Sequence, residues 1–117
     1  MIFSYKRDNL FQNRINECCK IKRKYPNRIP IICEKDPKCK LVSDLKKIKY
    51  LAPLDISIGQ FMHVIRKQLR LRESQSIYFK IDNMIPPCTV LMQNLYDVYS
   101  DEDGYLYISY IGENTFG

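Results

Sequence analysis

Residues 49–67 read KYLAPLDISIGQFMHVIRK, and their order decides the fold. Tyr50-Leu51-Ala52 is a brief apolar stretch with Lys46, Lys47 and Lys49 before it and Pro53 after it. Short, lysine-guarded and proline-ended is the pattern of a strand at the edge of a sheet. Ser57 and Gln60 then form an S-x-x-Q capping box, which satisfies the first free N–H groups of a helix. Ile58, Phe61, Met62, Ile65 and Leu69 hold an apolar stripe along that helix, and Val64 falls off it.

Working outward toward the N-terminus, residues 28–34 alternate Ile29, Ile31 and Cys33 against Pro30, Ile32 and Glu34, the period of a half-buried strand. Pro30, which has no N–H, marks a position where the ladder needs no donor. Before it, Phe11, Ile15 and Cys18 recur at helical spacing, with Lys20, Lys22, Arg23 and Lys24 in the last turns, where cations suit the helix dipole. Tyr25-Pro26 stops this helix. A short helical turn over residues 4–9 is expected ahead of it.

Toward the C-terminus, Ile77, Phe79 and Ile81 alternate as a strand, Asp82-Asn83 turns the chain and Pro86-Pro87 keeps it extended. Leu91, Leu95 and Val98 mark a short helix, ended by Asp101-Glu102-Asp103 and Gly104. Leu106, Ile108 and Tyr110 alternate with Tyr105 and Tyr107 in a last strand. Without its N-terminal helices the chain runs strand, strand, helix, strand, helix, strand. That order suits an α+β fold in which a sheet grips one helix, the ubiquitin-like β-grasp, with two additional N-terminal helices; a ferredoxin-like sandwich is the alternative. The expected divisions are residues 1–26 as a helical extension packed on the core, 27–111 as the β-grasp core and 112–117 as a flexible C-terminal tail.

At 117 residues the chain suits one domain. No stretch approaches the roughly 18 apolar residues of a membrane span, and MIFSYKRDN meets charge too early for a signal peptide. Five cysteines without a CxxC pair or secretory signal predict reduced thiols and a cytosolic setting, with Cys18 and Cys19 divided between core and surface. Their spacing offers no zinc pattern, and no metal or cofactor is expected. Charge is uneven: residues 1–50 hold 14 Lys and Arg against 5 Asp and Glu, whereas residues 51–117 hold 5 against 8. The first half therefore faces an acidic partner, whether peptide, lipid headgroup or nucleic acid.

Four segments, KIKRKYPNRIPIICEK at 20–35, residues 49–67, the IPP and LMQNLY pieces around 85–96, and DEDGYLYISY at 101–110, resemble the Atg8, LC3 and GABARAP family of ubiquitin-like modifiers. The resemblance runs nearly end to end. It implies conjugation to phosphatidylethanolamine through Gly117 by E1-like and E2-like enzymes, removal by a delipidating cysteine protease, and autophagosome formation. It also implies recruitment of cargo receptors bearing W/F/Y-x-x-L/I/V motifs. By the same resemblance an aromatic pocket comprises Glu17, Ile21, Pro30, Lys49, Leu51 and Tyr105, and an aliphatic pocket Tyr50, Ala52, Pro53, Ile56, Phe61 and Val64. Arg28 and Lys47, with Lys49, would meet acidic residues flanking the motif. The chain departs from the family pattern at Ala52, Gly104 and Gln68.

The chemistry at the C-terminus also stands without the resemblance, because a glycine carboxylate has no Cβ beside it and can thread a narrow enzyme cleft to be adenylated and passed to a thiol and an amine. A diacyl product would anchor the domain to a membrane. Parasite relatives that end at this glycine imply a plastid-derived organelle as an alternative destination. A Cys/His enzyme is disfavoured, since His63, the only histidine, lies within a predicted helix with no nucleophile-turn motif nearby. A basic nucleic-acid or anionic-membrane module built on KIKRK is the remaining alternative; it has charge but no recognisable nucleic-acid motif, and no nucleic-acid partner is expected.

Overall fold

The computed structural model describes residues 1–114; Gly117 and the two residues before it lie outside the described residues. The elements are α1 (Ser4–Asp8), α2 (Phe11–Lys24), β1 (Arg28–Lys35), β2 (Lys49–Pro53), α3 (Ile58–Leu69), β3 (Gln75–Lys80), α4 (Met92–Tyr99) and β4 (Leu106–Asn114). One mixed sheet runs β2-β1-β4-β3. β1 and β4 pair in parallel at its centre, with antiparallel β2 and β3 outside them. The first and last strands lying parallel and adjacent, with α3 across one face, make this an α+β ubiquitin-like β-grasp with two helices added at the N-terminus.

The capping box is formed as read: Ser57 Oγ accepts from Gln60 N at 3.1 Å and Gln60 Oε1 from Ser57 N at 2.8 Å. Ile58, Phe61 and Ile65 then face Ile29, Ile31 and Cys33 of β1 and Leu106, Ile108 and Tyr110 of β4 in the main core. Phe61 stacks edge-on against Tyr50 of β2 and lies tilted over Phe79 of β3. Asp82 and Asn83 both adopt positive φ, closing the tight turn that lets Ile81 bridge to Met84.

Several expectations need correction. β1 is not half-buried: every residue from Ile29 to Glu34 is buried, because α1 and α2 cover the face that alternation assigned to solvent. Ile32, Tyr105 and Tyr107 on that face pack with Tyr5 and Cys18 of the N-terminal helices. On α2 the inward residues are Arg14 and Cys18, whereas Phe11 is exposed. On α4 they are Met92 and Leu95, whereas Leu91 and Val98 are exposed. Finally, β4 runs three residues past the expected boundary at 111: Gly112, Glu113 and Asn114 pair with Ile77, Ser76 and Gln75, so they belong to the sheet and not to a 112–117 tail.

Candidate functional site

Among the described residues β2 pairs only with β1, which leaves its outer side as an open edge. Which backbone groups face outward follows from register. Cys33 N donates to Ile48 O at 2.8 Å, so Ile48, Tyr50 and Ala52, alternating along the strand, turn their N–H and C=O groups toward β1. Lys49 and Leu51 turn theirs outward, and Pro53 ends the edge with no donor. Pro30 itself precedes the first β1–β4 pair, Ile31 with Leu106, where no N–H is called for.

The same alternation divides the side chains predicted for the two pockets. Lys49 and Leu51 point to the α2 face and are exposed, Leu51 by 37 %. Pro30 and Tyr105 are buried beneath that face, with Glu17 and Ile21 of α2 partly buried along it. Tyr50, Ala52 and Phe61 point the other way, into the main core, and present almost no free surface. Ile56 is partly buried against the main core, Pro53 is partly buried at the end of the strand, and Val64 is exposed on α3 by 42 %. Lys49 and Tyr105 of the aromatic-pocket set thus meet at Glu17, whereas in the aliphatic set Tyr50, Ala52 and Phe61 form a buried floor, Pro53 and Ile56 are partly buried and Val64 is exposed.

Glu17 is a hub. Its Oε1 accepts from Lys49 Nζ at 2.6 Å and from the Tyr105 hydroxyl at 2.9 Å, and its Oε2 accepts from the Tyr5 hydroxyl at 2.7 Å. Burial pushes this carboxyl up, but the hydrogen bonds from Lys49, Tyr5 and Tyr105 outweigh it and hold the group below its ordinary value. Burial and then the Glu17 bond push Tyr5 up to about 12, and Tyr105 moves in the same direction. The Lys49 ammonium also lies 5.0 Å from the centre of the Tyr5 ring. An acidic ligand at Lys49 would therefore compete with Glu17 for the ammonium.

Tyr5 was missed by sequence reasoning. It sits in a five-residue helix with no apolar period of its own, and its only signal is an aromatic between a serine and a basic pair. Of the other cations, Arg28 is exposed at the start of β1 opposite Pro53, and the Lys47 ammonium lies 5.0 Å from the Tyr50 ring, whose hydroxyl donates to Lys47 O. Gly104 has φ 97°, and a Cβ there would stand 2.7 Å from Cys18 Sγ, so a larger residue is strained at this backbone angle and must displace the Cys18 thiol. His63 and Cys88 line one shallow hollow beside the α3 N-terminus, both exposed, and no hydrogen bond joins them among the described residues. Cys18 is buried and Cys19 exposed, as expected. No described helix is long and apolar enough to cross a membrane.

Residues 13–117 match the family model described as autophagy protein Atg8 ubiquitin like. The chain is 48% identical over 113 residues to autophagy-related protein 8e of Arabidopsis thaliana, covering 97% of this chain and 92% of that protein. It is 47% identical to autophagy-related protein 8 of Schizosaccharomyces pombe, covering 97% and 93%. The crystal structure of Trypanosoma brucei ATG8 superposes with a TM-score of 0.92 at 35% identity over the whole of both chains. Plasmodium falciparum Atg8, solved with a peptide of Plasmodium falciparum Atg3, superposes with a TM-score of 0.86 at 34% identity, covering 97% and 98%.

Proposed function

This chain belongs to the Atg8 family of ubiquitin-like autophagy proteins, and we propose that it is a modifier joined through Gly117 to phosphatidylethanolamine and read by short peptide motifs at the β2 edge. E1-like and E2-like enzymes activate and transfer the glycine carboxyl, and a cysteine protease reverses the attachment. The E2-like partner is supported by the Atg3 peptide bound to the Plasmodium falciparum relative. Lipid attachment brings the domain from the cytoplasm to the autophagosome membrane, where cargo receptors meet it.

The observation that carries the peptide reading is the open outer side of β2. An extended W/F/Y-x-x-L/I/V segment adds there as a further strand, taking the outward N–H and C=O groups of Lys49 and Leu51. Its aromatic side chain settles by Leu51 and Ile21 over Pro30 and Tyr105, near the Glu17 hub. Its aliphatic side chain lies against Pro53, Ile56 and Val64 over the floor of Tyr50, Ala52 and Phe61. Arg28, Lys47 and Lys49 speed the approach of acidic flanks, an effect that weakens with salt. Burying two such side chains contributes ~1.5–3 kcal/mol each before ordering costs, which with the strand pairing suits a micromolar affinity, about −8 kcal/mol.

Calorimetry with a W-x-x-L peptide tests the surface. Leu51→Ala removes an exposed contact and is expected to weaken binding by about 1 kcal/mol, roughly fivefold, without unfolding the domain. Tyr50→Ala is a poorer probe, because Tyr50 is buried against Phe61. Unchanged affinity in Leu51→Ala rejects the pocket assignment. Attachment is tested separately by mass spectrometry after reconstitution with the enzymes, ATP and phosphatidylethanolamine vesicles: Gly117→Ala should yield no lipid-linked product.

A further inference from the structure

β4 remains in the sheet as far as Asn114, opposite Gln75, which leaves three residues to Gly117. Three extended residues reach about 10 Å. Whatever is joined to Gly117 therefore sits beside one end of the domain, and two loops flank that end. Loop 39–42 is tied to β4 because Gly112 N donates to Cys39 Sγ at 3.2 Å, and a Cβ on Gly112 would stand 3.0–3.2 Å from Leu41 and Val42. Loop 70–74 and the start of β3 are tied to α3, since Arg66 donates from Nη1 to Gln75 O at 2.7 Å and from Nη2 to Arg72 O at 3.2 Å. Arg72 N also donates to Gln75 Oε1 at 3.0 Å.

Between the loops lies a hollow of about 330 Å³ lined by Leu41, Val42, Arg72, Gln75, Ser76 and Glu113. Leu41 is 55 % exposed at its rim, which is a large apolar side chain held out by a braced loop. Lys40, Arg70 and Arg72 are exposed and have no ion-pair partner among the described residues. Glu73 and Glu113 are exposed beside them. Cations and carboxylates around one apolar tip complement a zwitterionic headgroup layer, whose phosphates meet the guanidinium groups and whose ammonium groups meet the acids.

We infer that this rim is a membrane-contact surface, which holds the lipid-joined domain end-on against a zwitterionic phospholipid bilayer with Leu41 entering the interface and Arg72 pairing with lipid phosphate. The inference rests on the conjugation reading of Gly117. It extends that reading by making the anchored domain oriented, with the β2 edge standing away from the headgroups and open to peptides. Each contact is weak, but a short tether supplies an effective concentration of about a millimolar, which keeps a weak surface engaged.

The test attaches the chain without enzymes. A Gly117→Cys chain, with exposed Cys19 and Cys88 changed to serine, is coupled to maleimide-bearing phosphatidylethanolamine in phosphatidylcholine vesicles and followed by amide hydrogen exchange. Amides of residues 39–42 and 70–76 are expected to exchange roughly threefold more slowly on vesicles than in the free chain, while those of α2 stay unchanged. The Leu41→Ser/Arg72→Glu form, coupled to the same extent and exchanging normally when free, should lose that slowing. Equal exchange attached and free overturns the inference. So does a second pattern, in which slowing is absent but Arg72→Glu impairs enzymatic conjugation, for the rim is then an enzyme contact. Failure of enzymatic attachment at Gly117 appears separately, as absence of lipid-linked product, and leaves the exchange result on the coupled chain to stand on its own.

Discussion

The two faces of this sheet are sealed by different chemistry. Under α3 the contact is apolar: Phe61, Ile65, Ile31, Ile108, Phe79 and Tyr50 meet without a buried charge among them. Under α1 and α2 much of the contact is ionic or hydrogen-bonded. Arg14 Nε donates to Asp103 Oδ2 at 3.0 Å, with the Asp103 side chain fully buried. The Tyr107 hydroxyl and Tyr105 N also donate to Asp103. Glu34 accepts from Ser4 N, Ser4 Oγ and Tyr5 N. An apolar seal responds to volume and hardly to pH, whereas a polar seal is specific in geometry and exposed to titration. The open β2 edge, proposed above as the peptide site, lies where the two meet, with Lys49 and Leu51 on the polar side and Tyr50 and Ala52 on the apolar side.

The sharpest contrast comes from truncating each seal. Phe61→Ala opens a cavity bounded by Tyr50 and Phe79 and is expected to cost about 3–5 kcal/mol in denaturant unfolding, with little dependence on pH. Arg14→Met leaves Asp103 buried without its cation. The expected cost is about 3 kcal/mol, the low end for breaking a buried pair, because Tyr105 N and Tyr107 still donate to the carboxylate. The further change Asp103→Asn should recover part of that loss, and no such rescue exists for Phe61→Ala. A double variant no better than Arg14→Met would break the comparison.

This asymmetry also explains what the sequence disclosed. α3 and the edge strand were legible because apolar period, capping box and proline are local signals, and each is met by the structure at Ser57, Gln60, Ile58, Phe61, Ile65 and Pro53. The polar face was not. Arg14 and Asp103 are 89 residues apart, and Glu34 reaches Ser4 across 30. Pairing over such distances leaves no periodic trace, so Phe11 was assigned inward and Arg14 was not. Alternation likewise marked β1 as half-buried, since period two cannot announce that helices cover its second face. For the site, the resemblance supplied the membership of the pockets; register then showed that only Lys49, Leu51 and Val64 of the two sets are clearly exposed. Tyr5, a third of the Glu17 hub, had no signal that chain-local reasoning could use.

A smaller test of the polar face is Glu34→Gln. The amide keeps its shape and one accepting oxygen, but loses the charge that strengthens three hydrogen bonds to the start of α1. The expected loss is about 1.5 kcal/mol, read as faster amide exchange in residues 4–8 with α3 unchanged. Faster exchange in both helices would mean that the two seals are one cooperative unit and that the distinction has no energetic content.

The smallest effect is the most selective. Burial raises the Glu17 and Asp101 carboxyls, but hydrogen bonds from Lys49, Tyr5 and Tyr105 in the first case, and from Lys6 and Asp103 N in the second, leave both lowered. A carboxyl lowered in the folded state adds stability that is fully present above its unfolded value, near 4, and is lost as pH falls through the folded value. Both groups retain solvent access, so each contributes modestly. Acidification from neutral pH to about 3 should therefore loosen α1 and the Lys49–Glu17 contact before it loosens α3, because the described residues of the α3 seal include no carboxylate. Tyrosine fluorescence should report early change at Tyr5 and Tyr105, and exchange in α3 should lag. Glu17→Gln should remove the Glu17 part of that early change while freeing Lys49 at neutral pH, so that peptides with acidic flanks bind the variant faster than the parent chain. An acid transition in which both helices loosen together, or a variant with unchanged association rate, would show that the hub neither titrates alone nor competes with the ligand for Lys49.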